Sequence, residues 1–306
     1  MGRRFEPVWA HALNEFGGAM PATKHAFSVD VEDWYQGIEL PLEAWVGKEN
    51  RVDIGLSKVL ELLKERNIKA TFFTLGAVAK SNPKSIRFIA EQGHEIASHT
   101  MYHEKIYDLE PKKFLMQERE CKKILEDISE STINGFRAPY FSITTQSLWA
   151  LDILSQLGYT YDSSISPMQT WRYGIAGTNP GIYQLKSGLI EFTPSLGNFC
   201  SHSYGVGGAY LRIYPYKLTK AALKESAVKG LSGMFYVHPW ELDPKHPRLK
   251  IGLKPFVTHY SRLGSTAPKL KKLLSDFEFT SVQQAIDFEM AKGPLKVLDV
   301  DVDAKT

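Results

Sequence analysis

Cysteine is almost missing: the 306 residues hold two, Cys121 and Cys200, far apart and without partner spacing. This excludes a disulfide scaffold and suits a reducing compartment, with each thiol read as buried and free. No run approaches the ~20 apolar residues of a membrane span. An excess of one charge is missing too. Lys and Arg number 37 against 34 Asp and Glu, giving +3 spread along the chain. The most basic stretch, KLKKLL (269–274), reads as the solvated face of an amphipathic helix, so nucleic acid is not expected as a partner. There is no internal repeat and no low-complexity tract. The opening MGRRFEPVWAHALNEFGGAM starts basic but has no continuous apolar run of the kind a secretory signal needs. Residues 1–25 are therefore expected to be a peripheral segment of a cytoplasmic protein, with Met20 as an alternative start.

What remains is a chain that is 43% hydrophobic and 23% charged, enough for one large core. Its pattern alternates. FSVDV opens as a buried strand. VDIGLSKVLELLKERN (52–67) places Ile54, Val59, Leu62 and Leu63 near helical spacing, and IKATFFTLG (68–76) reads as the next strand. Pro83 and Gly93 bracket a helix before the strand HEIASH. A helix from about Pro111 to Ile128, the strand INGFRAP, a helix stopping at Gly158 and the strand YTYDSS follow. After a glycine-rich loop come the strands GIYQLK and LIEFTPS, a helix over YKLTKAALKESAV, the strand MFYVH (234–238) and two late helical stretches. Strand–helix alternation over this length predicts a parallel sheet, either a closed barrel or a doubly wound sheet, with ligands at the carboxyl ends of the strands. The expected organisation is one domain over 26–290, including an extension from about 250, with 291–306 as a tail.

Those strand ends carry the chemistry. The first supplies Asp30, Glu32 and Asp33; the stretch after HEIAS supplies His99 and His103; then come Arg137, Asp162 and His238. Two histidines four apart, if the segment turns helical, share a face and can share a metal, and a carboxylate completes a set that leaves positions open for water and substrate. Singly, each residue has an ordinary structural reading: a satisfied histidine, a loop arginine, an aspartate N-cap. Their common placement at strand ends is what those readings leave unexplained.

In this order the segments resemble the motifs of the polysaccharide deacetylases, carbohydrate esterase family four: Asp30 with Asp33, HTMYH (99–103), RAPY (137–140), YDSS (161–164) and VHPW (237–240). The Val-Asp-Val-Glu-Asp opening, GGAYLRIYP (207–215) and the stretch 256–282 are most similar to a bacterial branch linked to exopolysaccharide and lipopolysaccharide loci. The resemblance implies a distorted, incomplete (β/α) barrel of about seven strands. It implies removal of an N-acetyl group from an N-acetylated sugar, in a glycan or in a lipid- or nucleotide-linked precursor. Asp33, His99 and His103 would hold a divalent metal, zinc ahead of cobalt, nickel, manganese or iron. Asp30 would be the general base, oriented by Arg137, and His238 the general acid, with Asp162 beside it. The backbone N–H of Tyr140 would meet the oxyanion.

The opening departs from the family's usual adjacent pair of aspartates, because Val31 and Glu32 separate Asp30 from Asp33. Glu32 shares a side with Asp30 only while extended pairing lasts, and a turn there swings Asp33 inward. Asp33 is therefore the expected ligand and Glu32 the alternative. Tyr140, Trp171, Tyr210 and Trp240, with Trp34, are candidate walls for a sugar ring or acetyl group, packing being the plainer reading of most. Arg212 is a candidate contact to an acidic substrate, with a salt bridge as its plain alternative. Self-association stays open. Rival functions are hydrolysis of another linear or cyclic amide on the same site, and glycan binding without turnover.

Overall fold

The computed structural model describes residues 23–170, 172–199 and 202–300. The first half alternates as expected: β1 (His25–Val31), α1 (Val52–Lys64), β2 (Thr71–Thr74), α2 (Gly76–Ser81), α3 (Pro83–Glu91), β3 (Glu95–Ser98), α4 (Pro111–Ser129), β4 (Gly135–Phe136), α5 (Trp149–Gln156) and β5 (Tyr161–Asp162). The second half runs through β6 (Ile182–Leu185), β7 (Ile190–Phe192), β8 (Leu196–Phe199), β9 (His202–Gly205), α6 (Gly208–Ile213), α7 (Tyr216–Val228) and β10 (Met234–Val237). It closes with α8 (Leu253–Tyr260), α9 (Thr266–Asp276), β11 (Phe279–Thr280), α10 (Val282–Met290) and β12 (Val297–Leu298).

One sheet dominates, in the order β10-β1-β2-β3-β4-β5-β7-β6-β12, with β11 added to β1. Its first seven strands are parallel to one another. At β6 the direction reverses against β7. The path ends at β12 without returning to β10, which makes this the incomplete (β/α) barrel expected. Three details differ from the expectation. Part of the stretch read as tail joins the sheet, Val297 and Leu298 pairing with β6. Three helices rather than two follow β10. The antiparallel hairpin β8–β9, whose polar strands carry little apolar pattern, was not anticipated.

Alternation along β1 decides what each side chain meets. Phe27, Val29 and Val31 lie under the helices in the main core. Ala26 faces the barrel interior with Phe73, Ala97 and Met234, where α10 adds Val282, Ala285 and Ile286. Ser28 and Asp30 share the period of Ala26, so a polar ladder climbs the inside of the barrel to its rim. On α1 the buried stripe is Val52, Leu56, Val59 and Leu63, while Ile54 faces solvent: Val59 and Leu63 were placed correctly and Ile54 was not. Each large apolar side chain fully buried this way contributes about 1.5–3 kcal/mol. Cys121, on α4, is buried and free, whereas Cys200 and residues 1–22 lie outside the described residues. Among the described residues no helix is long and apolar enough to cross a membrane.

Candidate metal centre and active site

The ladder ends on Asp30, which is 3% exposed. Its Oδ1 accepts from Arg137 Nη1 at 2.6 Å. Arg137, delivered by the turn after β4, is fully buried in the barrel. It also donates to Ser28 Oγ at 2.8 Å and to Ser163 Oγ at 3.0 Å, and its guanidinium lies 4.0 Å from the centre of the Phe73 ring. A charge so enclosed is held in one place by hydrogen bonds and by the aromatic face, which fixes the Asp30 carboxylate with it.

Glu32, two residues on, lies just past the end of β1, where its N–H bonds back to the Asp30 carbonyl at 3.1 Å, and its side chain stays on the side of Asp30. The structure gathers Glu32, His99 and His103, each offering one ligand atom within 4.8 Å of the others, all buried. Glu32 Oε2 lies 2.6 Å from His103 Nε2, and Glu32 Oε1 accepts from Trp240 Nε1 at 2.8 Å. Burial alone would raise this carboxyl, but His103 and His238 outweigh it and hold Glu32 far below the usual carboxylate range.

Asp33, the ligand expected from the sequence, points the other way. Its Oδ1 accepts from the N–H of Trp34 at 2.8 Å, and its Oδ2 from those of Arg51 at 2.7 Å and Val52 at 3.2 Å. Those last two donors are orphan amides at the start of α1, so Asp33 is occupied as a helix cap supplied from a neighbouring loop. The anticipated turn begins at Trp34, one residue too late to bring Asp33 inward.

The histidine pair meets by another route than the one expected. The segment after β3 is a loop rather than a helix, and Thr100 and His103 both adopt left-handed backbone, with φ of 68° and 58°. For a β-branched threonine this conformation is costly and marks a position fixed by its surroundings. Thr100 Oγ1 accepts from the His103 N–H at 3.2 Å, and the two imidazole centroids come to 5.2 Å. His99 Nδ1 donates to the Arg137 carbonyl at 2.8 Å. That bond turns Nε2 toward the carboxylate, the second-shell arrangement typical of a metal-ligating histidine. Burial brings His99 down to about 4, so its ring is neutral and its lone pair available. The neutral His99, the His103 imidazole whose Nε2 lies against Glu32 Oε2, and a carboxylate held ionised together offer two nitrogens and an oxygen that fit a divalent cation.

His238 completes the rim from the end of β10, which pairs with β1 in parallel. Its Nε2 lies 3.9 Å from Asp30 Oδ2 and 3.7 Å from Glu32 Oε1. Burial pulls its pKa down, but Glu32, Glu241 and Asp30 more than offset this and raise it to about 9. Glu241 was missed by the sequence reading. Its signal was the spacing in HPWE, where the fourth residue reaches back to the first as in a capping box; here the Glu241 carboxylate accepts from the His238 backbone N–H.

Three other expected roles do not survive. Asp162 is fully buried, but it accepts from the N–H of Ser163 and the hydroxyl of Ser164 and shares a hydrogen bond with Glu191 rather than meeting His238. Arg212 is fully buried and bonded to Glu241, so it cannot greet a substrate. Trp240, 6% exposed, is stacked between His238 and His259, with centroids at 5.1 Å and 3.9 Å, and is a support of the site instead of a sugar wall. Trp34 is likewise core, donating to the Glu49 carbonyl. Tyr140 does stand at the site: its ring packs edge-on against that of His103 with centroids 4.6 Å apart, on a left-handed backbone of φ 56°. Tyr210 is half-buried, its hydroxyl 3.2 Å from that of Tyr173. Trp171 lies outside the described residues. A groove of about 570 Å³ between α1 and α3 opens near the start of β2 and β3, away from these groups, and holds no metal-ligand set.

Residues 53–161 match the family model described as polysaccharide deacetylase, and residues 163–287 match a domain of unknown function, DUF3473. A chitooligosaccharide deacetylase of Sinorhizobium fredii is 34% identical over 99 residues, 32% of this chain and 43% of that protein. A peptidoglycan-N-acetylglucosamine deacetylase of Bacillus cereus is 28% identical over 130 residues, 39% of this chain and 47% of that protein. The chain thus spans under half the length of each. A crystal structure from Mycobacterium smegmatis, described as a polysaccharide deacetylase candidate, superposes with a TM-score of 0.66 over 92% of this chain and 95% of that one, at 19% identity. At that identity the superposition speaks for the fold.

Proposed function

The chain carries a polysaccharide deacetylase domain, and from that premise we propose that it is a metal-dependent hydrolase removing an N-acetyl group from an N-acetylated sugar. The observation that carries this reading is the convergence, at one rim, of a clamped carboxylate, a two-histidine and one-carboxylate cradle, and a cationic histidine. Glu32, His99 and His103 are the proposed ligands, and their mixed nitrogen and oxygen set puts zinc first among the candidate ions. When bound, such an ion supplies Lewis acidity toward an amide carbonyl and makes water easier to deprotonate.

The chain's own residues account for the protons. Asp30, held in place by Arg137, takes one proton from the attacking water. His238 gives one to the amine nitrogen as the C–N bond breaks, so acetate and a free amino sugar leave. The backbone N–H of Tyr140 is the proposed donor to the oxygen on which charge develops, and the Tyr140 and Tyr210 rings are the remaining candidates for contact with the sugar. The match to DUF3473 supports assigning the substrate to exopolysaccharide or lipopolysaccharide synthesis.

The test is acetate release from N-acetylhexosamine oligomers and precursors, before and after chelation and with metal restored. Chelator-sensitive release supports the reading. No acetate from any N-acetylated sugar, with the metal site filled, removes it and leaves hydrolysis of another amide or glycan binding without turnover.

A further inference from the structure

His238 lies within residues 163–287, the stretch whose family model has no named function. It is gripped there from behind. Its backbone N–H and its Nδ1 both lie 3.0 Å from Glu241 Oε2. Burial works against ionising Glu241, but Arg212 and His238 bring it down to about 2, so the carboxylate can only accept. Nδ1 of the cationic ring therefore donates to Glu241, and the second N–H, at Nε2, faces Asp30 and Glu32. The other oxygen of Glu241 accepts from Arg212 Nε at 2.6 Å.

Arg212 spends its remaining donors on the carbonyl of Ser261, from Nη1 at 2.6 Å, and that of Thr258, from Nη2 at 2.5 Å. Both carbonyls belong to the end of α8, where unsatisfied C=O groups carry partial negative charge. Arg212 and Glu241 are each fully buried. A buried ion pair is a poor source of stability, because desolvation takes back most of the Coulomb gain. What this pair delivers is orientation. Asp162, which the family resemblance would put beside His238, is taken up by Ser163, Ser164 and Glu191.

We propose that Glu241 and Arg212 are the positioning residues of the general acid His238, and that the extension beyond residue 250 acts on the reaction by fixing Arg212 through the end of α8. On this account the stretch 163–287 is the acid-bearing side of the active site and not a separate module. The proposal rests on reading His238 as the acid of a deacetylation.

Its test uses the full chain, metal-loaded, with Glu241→Leu combined with Arg212→Met so that no unpaired charge stays buried, and Glu241→Gln as a milder variant in case the first fails to fold. Acetate kinetics should show kcat falling about 10- to 100-fold with KM changed less than about threefold and metal content unchanged. Spectra of ¹⁵N-histidine-labelled protein should show a hydrogen-bonded Nδ1 proton on His238 in the wild type and in Asp162→Asn, lost in the double variant and weakened in Glu241→Gln. Wild-type kcat in either folded Glu241 variant would overturn the proposal, as would loss of the proton signal in Asp162→Asn with retention in the Glu241 variants. Should the wild type release no acetate, the reaction assigned to His238 fails, while the ¹⁵N spectra still decide whether Glu241 holds the ring.

Discussion

Glu32 and Asp33 are neighbours with opposite tasks, and exchanging each for its amide separates them. Glu32→Gln keeps an oxygen for the Trp240 N–H but gives up the negative charge facing His103 and His99. Loss of a mere supporting partner costs 10–100-fold in metal affinity, so loss of a direct ligand should exceed about 100-fold, or ~2.7 kcal/mol. Asp33→Asn touches no ligand atom. It gives up one of two oxygens that serve three backbone amides, a capping loss of about 0.5–2 kcal/mol. Burial has raised this carboxyl to about 6 against 3.8 for the free group, so neutralising it also relieves a penalty of up to about 3 kcal/mol near neutral pH. The two effects oppose each other, and stability is not the deciding readout. Metal is. Competition with a chromophoric chelator on metal-stripped protein, with circular dichroism to confirm folding, should show weak zinc binding by Glu32→Gln and near wild-type binding by Asp33→Asn. The reverse pattern would refute the placement of Glu32 in the cradle.

The other expectations are briefer. Asp30→Asn should abolish acetate release while leaving zinc stoichiometry unchanged, since Asp30 bonds Arg137 and no ligand atom; retained turnover would remove it as the base. Trp240→Phe deletes the N–H on Glu32 and should weaken zinc about 10–100-fold by the same chelator competition, whereas an unchanged affinity would make the tryptophan packing alone. A Cβ on Gly55 would come to 1.9 Å from the Pro239 carbonyl oxygen, so Gly55→Ala should push α1 off the turn bearing His238 and cost about 1–3 kcal/mol in urea unfolding; a neutral result would show that the turn is free to move. Glu118, bonded to Ser98 and Tyr159, is raised by burial to about 7 from 4.5. A raised carboxyl stabilises fully below its unfolded pKa and loses that contribution as pH climbs through the folded one. Relative to Glu118→Gln, the wild type should thus lose about 3 kcal/mol between pH 4.5 and 8, and parallel stability curves would contradict this.

The barrel was legible because its signals are local: the alternation of strand and helix patterns, Pro83 and Gly93 as punctuation, apolar runs where strands are covered on both sides. The strand-end residues were legible for the same reason, Asp30, His99, His103, Arg137 and His238 each closing a recognisable strand. What failed depended on phase or on distant partners. The choice between Glu32 and Asp33 turns on where the chain bends after Val31 and on the distant amides of Arg51 and Val52 that take up Asp33, and no local pattern states either. Asp162 and Arg212 were misassigned because their buried partners, Glu191 and Glu241, lie 29 residues away in each case. The left-handed turn at Thr100 and His103 has no glycine to announce it.

The distribution of the site along the chain carries one more consequence. Asp30 and Glu32 precede both matched stretches, His99, His103 and Arg137 fall in the first, and His238 and Glu241 in the second. Parallel pairing of β1 with β10, Val29 opposite Val237, is what brings the proposed base and the proposed acid together across some two hundred residues. The first matched stretch alone would therefore hold two of the proposed ligands and the arginine but neither the proposed base nor the proposed acid. The second alone would hold an oriented histidine with nothing to act on. Since β1 also carries the register for β2 and β11, any change that slips β1 by one residue would turn Asp30 and Glu32 to the helix side and cost the site its proposed base and a proposed ligand at once. Fold and chemistry are in this sense a single constraint on FSVDVED: the alternation that buries Phe27, Val29 and Val31 under the helices is what presents Asp30 and Glu32 to the rim.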